Sequence, residues 1–186
     1  MRYRYWLLIS ASLFIIGMAG GIVVFLTTPP GLTDFLSGEL SALEKLSGML
    51  APFQVGTILF IFFKNTAVLL LSFALSPIFF LFPVLVLTLN GLLLSFVAIL
   101  LAGEKSAGYV LAGILPHGII EIPAIIIGEA AALSFGLIII MGIFNSQSRV
   151  NMMTGIKRNL KILGIAVALL FPAAIIETYI TPLLIT

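Results

Sequence analysis

No cysteine occurs in the 186-residue chain, which excludes disulfides and thiolate metal sites and leaves the redox compartment unassigned. Charge is almost as scarce. Lysine and arginine total 9, aspartate and glutamate 7, and charged residues make up 9% of the chain. The formal net charge of +2 comes from a few basic residues at the ends of apolar runs, so no nucleic-acid partner is implied. Catalytic signatures are missing too. There is no His-Glu-x-x-His, no Gly-x-Ser-x-Gly and no glycine-rich phosphate loop with its lysine, so no catalytic residue and no enzyme class is assigned. Gly103-Glu104-Lys105-Ser106 echoes the end of such a loop without its upstream glycines, and reads as a turn.

What remains is apolar. Hydrophobic residues reach 61% and mean hydropathy is +1.29. A domain of 19.9 kDa cannot hide that much apolar surface from water, because small proteins bury only part of their surface on folding. The lipid bilayer is therefore the solvent. The chain reads as one integral membrane domain over residues 1–186, all-α, a polytopic helix bundle.

Five runs have the length needed to cross a hydrocarbon core of about 30 Å: roughly 5–27, 54–76, 78–102, 116–144 and 160–183. The first, preceded by Arg2 and Arg4, is too long for a signal-peptide core and lacks a clear cleavage site, so it is expected to remain as a span. Pro77 and Pro83 mark the turn between the second and third runs. Arg149, Lys157, Arg158 and Lys161 gather between the last two runs, and Lys45 and Lys105 fall in the opposite loops. Basic residues favour the cytoplasmic side. Five spans then place the chain in the plasma membrane with its N-terminus inside and C-terminus outside.

Two segments depart from simple spans. Residues 107–144 as one straight helix would reach about 57 Å, so 107–115 is expected to form a re-entrant or broken segment ending at Pro116. Leu32, Phe35, Leu36, Leu40, Leu43, Leu46 and Leu50 recur at helical spacing, with Asp34, Glu39, Glu44, Lys45 and Ser47 on other faces. That pattern predicts an external amphipathic helix.

The chemistry concentrates in the fourth run. His117, the sole histidine, precedes Glu121 by four positions, which puts both on one helix face. Ionisable side chains inside lipid are costly, so they face protein or water and mark functional sites. Pro116, Gly118 and Pro123 mark a kink, while Gly128, Ala132 and Gly136 form a small-residue ladder for close packing by another helix. Glu129 lies about 120° around the helix from His117 and about 18 Å along it, too far to share one small ligand. Lys64 and Asn65 in the second run, Asn90 in the third and Glu177 in the fifth lie at depths that could meet this face. Lys64 is the natural counter-ion for Glu121, Glu129 or Glu177, and one sequence leaves the choice open.

Three readings of these residues compete. They could be hydrogen-bonded glue between helices, a path for a proton or ion, or a divalent metal site at His117, Glu121 and Glu177.

Leu115-Pro116-His117-Gly118-Ile119-Ile120-Glu121-Ile122-Pro123-Ala124 resembles the Pro-His-Gly-x-x-Glu-x-Pro-Ala core of the stage II sporulation protein M family. Phe63-Lys64-Asn65, Asn90-Gly91 and Ile176-Glu177-Thr178-Tyr179-Ile180-Thr181-Pro182 add weaker likenesses, so the resemblance runs from about residue 60 to 182. It implies a membrane bundle with a polar core at His117, Glu121 and Glu177. It also implies a scaffold role, since the family's namesake in spore formers organises a peptidoglycan-degrading machinery. Relatives occur in organisms that make no spores, so sporulation is a label here. The resulting expectation is a non-enzymatic scaffold or assembly protein with protein partners in a membrane complex. A homodimer is suggested by Gly17-x-x-x-Gly21. The alternatives are a small ion- or proton-coupled permease subunit and an intramembrane metal-dependent hydrolase.

Overall fold

The computed structural model describes residues 3–28, 52–144, 149 and 151–185. The amphipathic stretch at 32–50 and Arg2 lie outside the described residues. Within them the chain is helical throughout, with no strand. The elements are α1 (Tyr3–Thr27), α2 (Val55–Leu75), α3 (Leu81–Glu104), α4 (Ala107–Phe144), α5 (Met152–Tyr179) and the short α6 (Thr181–Leu184). The first five are long and apolar enough to cross a membrane, as the hydrophobic runs predict. In lipid a backbone with no water to bond must satisfy itself, and a helix does so locally.

The expected turns are present. Pro77 follows the end of α2 and Pro83 sits in the first turn of α3, where a missing N–H costs nothing. Ser106 ends the turn after α3 by accepting a hydrogen bond from the Tyr109 backbone N–H at 3.1 Å, an N-cap for α4. Gly103–Ser106 is thus the end of one helix and the cap of the next.

One expectation fails. Residues 107–115 are not a re-entrant or broken segment; they are the first turns of α4, which runs unbroken for 38 residues with Pro116 and Pro123 inside it. Each proline removes one backbone bond, freeing the carbonyls of Ala112 and Ile119. Unwinding the segment would expose many more backbone groups at membrane depth, so continuing the helix is the smaller loss.

α4 is the central element. Half of its most apolar stretch is buried (50%), against 22–33% for the other four spans. It lies between two helix pairs. On one side α1 packs on α3, and Trp6, Phe14 and Leu87 meet Ala130 and Leu133 of α4. On the other, α2 and α5 bring Leu69, Phe73, Leu163 and Leu170 against Ala131 and Ala132. Phe73 of α2 stacks on Phe135 of α4 with ring centroids 4.2 Å apart.

Small residues set the helix separations. A side chain at Gly128 would collide with Leu69 and one at Gly136 with the Ser76 backbone, so these two glycines face α2 and the residue that ends it. Gly17-x-x-x-Gly21 has a different partner from the one expected. A Cβ on Gly17 would fall on the Thr88 carbonyl and one on Gly21 on the Leu92 carbonyl, while Gly91 of α3 faces the Phe14 carbonyl in return. That face is used within the chain, against α3. A neighbouring segment of the same chain reaches such a groove first, at high effective concentration.

Candidate functional site

His117 stands one turn above Glu121 on α4, and its Nε2 lies 3.9 Å from Glu121 Oε2. That distance is too long for a hydrogen bond. Each group is held instead from another helix. His117 Nδ1 lies 3.3 Å from Thr181 Oγ1, at the start of α6. Asn65 Nδ2 of α2 donates to Glu121 Oε1 at 2.7 Å. Glu177 of α5 completes the group: one donor atom each from His117, Glu121 and Glu177 lies within 4.8 Å of the others.

These side chains border a chamber of about 460 Å³. Phe14 of α1, Lys64 of α2, Asn90 of α3, His117 and Glu121 of α4 and Glu177 of α5 all line it, so every span contributes. Its position follows from the fold. Residues of α1–α3 and of α2–α5 line it together with those of α4. Gly118 lines the same chamber, and no side chain there blocks it.

The sequence-derived residues are thus brought together unequally. His117, Glu121, Glu177 and Asn65 form one cluster. Asn90 lines the chamber, but its Nδ2 donates to the Val86 carbonyl of its own helix at 2.7 Å. Lys64 pairs with no described carboxylate within 4 Å. It borders the chamber, a second cavity of about 300 Å³ beside Glu177, and a third of about 210 Å³ beside Glu129. Lys64 thus borders the cavities of all three acids and is ion-paired to none of the described carboxylates.

Glu129 is apart from the chamber, as its helical position predicts. It is wholly buried, its Oε2 accepts a hydrogen bond from Ser72 Oγ at 2.5 Å, and its Oε1 has no partner among the described residues. Sequence reasoning missed Ser72 and Thr181. A hydroxyl in an apolar helix carries no pattern of its own, although Thr181 had a signal in the proline that follows it. It also missed Asn159, which is buried and donates to Ser134 Oγ at 3.1 Å, because the fifth span was expected to begin only at residue 160. Arg149 caps the end of α4, donating to the carbonyls of Gly142 at 2.6 Å and Ile143 at 3.1 Å.

The charge count frames the chemistry. Among the described residues, the cavities that Glu121, Glu177 and Glu129 face have one lysine, Lys64, and one ammonium does not neutralise three carboxylates. Surplus negative charge away from bulk water is relieved by protons or by a bound cation. One imidazole and two carboxylates are a donor set for a divalent ion of the first transition row. With ligand bonds of about 2.0–2.2 Å, donor atoms on one ion lie at most about 4.0–4.4 Å apart, so the cluster is within a small side-chain adjustment of ligation.

Comparison with known proteins agrees with the motif. The model of the family described as stage II sporulation protein M matches residues 10–182. An uncharacterized protein of Methanocaldococcus jannaschii is 31% identical over 140 residues, covering 74% of this chain and 62% of that protein, so the chain spans less than two thirds of that relative's length. No solved structure matches. With its motif at the centre of the bundle and the family match running across nearly the whole chain, the protein belongs to the stage II sporulation protein M family.

Proposed function

We propose that the chain is a small ion- or proton-coupled permease subunit of the plasma membrane, and that the chamber at His117, Glu121 and Glu177 is its cation site. The observation that carries this reading is the convergence of the three donor groups on a chamber lined by all five spans. Besides the bonds that hold them from Asn65 and Thr181, Glu121 and His117 both border the chamber, which supports a role beyond joining helices. The excess of acid over base supports the same reading. The basic residues from Arg149 to Lys161 support a cytoplasmic position for the α4–α5 connection, with the N-terminus inside and the C-terminus outside.

A second reading, the scaffold, draws support from the Asn65–Glu121 bond, which ties α2 to α4. In that reading the polar core fixes helix positions and protein partners or a second copy dock elsewhere. Reconstituted vesicles separate the two. Loaded with a pH-sensitive or metal-quenched dye, vesicles containing the protein should show cation or proton flux, and Glu121→Gln should abolish it while the protein stays monodisperse. Glutamine keeps an oxygen for Asn65, so the fold should survive. Flux no greater than in empty vesicles would favour the scaffold.

A further inference from the structure

We infer that Glu129, held by Ser72, is a second proton station beyond the chamber, reached past Lys64 and Asn90. The inference rests on the permease reading and deepens it, because it names the proton as the coupled ion. Glu129 is 0% exposed, one oxygen accepts from Ser72, and the other has no partner among the described residues, while the side chain borders the 210 Å³ cavity. A buried carboxylate oxygen without a donor is costly if its role is structural alone. This cavity and the chamber share three lining residues, Lys64, Asn90 and Ile125, so they are neighbours separated by those side chains. Both are roomy enough for several waters. Glu129 follows Glu121 by eight residues, about 12 Å along α4, a distance that waters and one movable ammonium can bridge.

The groups around Glu129 fit this role. From α2 come Ser72, which donates to Oε2, and Lys64; from α3 comes Asn90. From α1, Tyr3 directs its hydroxyl to the Ile127 carbonyl, and from α5, Asn159 bonds Ser134; neither is bonded to Glu129. Lys64 and Asn90 line both the chamber and the cavity at Glu129. In the transfer a hydronium ion entering from the chamber loses one O–H bond, an O–H bond forms at Glu129 Oε1, and a water molecule is left behind. Net charge is unchanged and no other reactant enters.

The test compares wild type with Glu129→Gln in proteoliposomes, with Mn²⁺ binding measured in parallel. Glutamine still accepts from Ser72 but cannot take up the proton. Proton-coupled flux should fall on the order of 100-fold, the size of a lost acid–base group, while chamber affinity for Mn²⁺ stays within about twofold. Infrared difference spectra give an independent readout. Loading the chamber with Mn²⁺ should perturb a carboxyl band that is missing in Glu129→Gln. Wild-type flux in Glu129→Gln, or loss of Mn²⁺ binding together with flux, or a silent carboxyl band, would each overturn the station. Flux absent from the wild type itself would overturn the permease reading as well, which distinguishes the two failures.

Discussion

Mn²⁺ should bind the detergent-purified protein with one ion per chain, and changing Glu121 and Glu177 together to glutamine should weaken that binding on the order of 100-fold. This corresponds to about 2.8 kcal/mol, one factor of ten for each carboxylate removed. The effect should be large because the two acids come from different helices, α4 and α5, and supply two of the three donors. His117 would remain with Thr181 and could not hold the ion by itself. Electron paramagnetic resonance of free Mn²⁺ measures the affinity directly. Glutamine preserves size and the contact from Asn65, so the melting temperature without metal should change little. Equal affinity in wild type and double variant would remove the chamber from the account.

Gly91→Leu should destabilise the protein by about 3 kcal/mol or more, lowering its melting temperature in detergent by roughly 10 °C. The reason is backbone, not side-chain, contact. Any Cβ at Gly91 meets the Phe14 carbonyl and lies 3.0 Å from the Met18 nitrogen, and a helix backbone cannot move aside as a flexible side chain can. α1 would have to leave α3, carrying Phe14 away from the chamber and exposing the Ser95–Met18 bond of 2.8 Å. Gly20, on α1, gives the control, because nothing lies within 4 Å of a Cβ built there. Gly20→Leu should therefore melt like wild type. Equal melting of the two variants would mean that α1 and α3 do not pack as described.

The spans were legible because hydrocarbon imposes one rule on every residue facing it, and long apolar runs obey that rule visibly. The interior of α4 was not. Pro116 carries a local preference for a helix start, and the global need to satisfy backbone groups in lipid overrides it. The spacing of His117 and Glu121 showed half of the site, since both lie on one helix. Glu177 and Asn65 were candidates by depth and by the family resemblance, because a single sequence does not say which spans adjoin. The same limit explains Gly17-x-x-x-Gly21: small residues announce close approach without naming the helix that approaches. Ser72, a hydroxyl among leucines, had nothing to mark it, and so Glu129 was placed correctly without its partner.

The central claim is that water and cations reach the space beside His117, Glu121 and Glu177, and the cysteine-free chain allows it to be measured cleanly. Val97→Cys puts one thiol on the chamber wall without touching a proposed ligand, and Ile15→Cys puts one on the exposed apolar face of α1, where Ile15 is 62% exposed. A membrane-impermeant, positively charged methanethiosulfonate should modify Val97→Cys in intact vesicles, more slowly when Mn²⁺ is present, and leave the lipid-facing thiol unreacted, since only an ionised thiol in water attacks. A Val97→Cys protein as inert as Ile15→Cys, with or without Mn²⁺, would contradict the account.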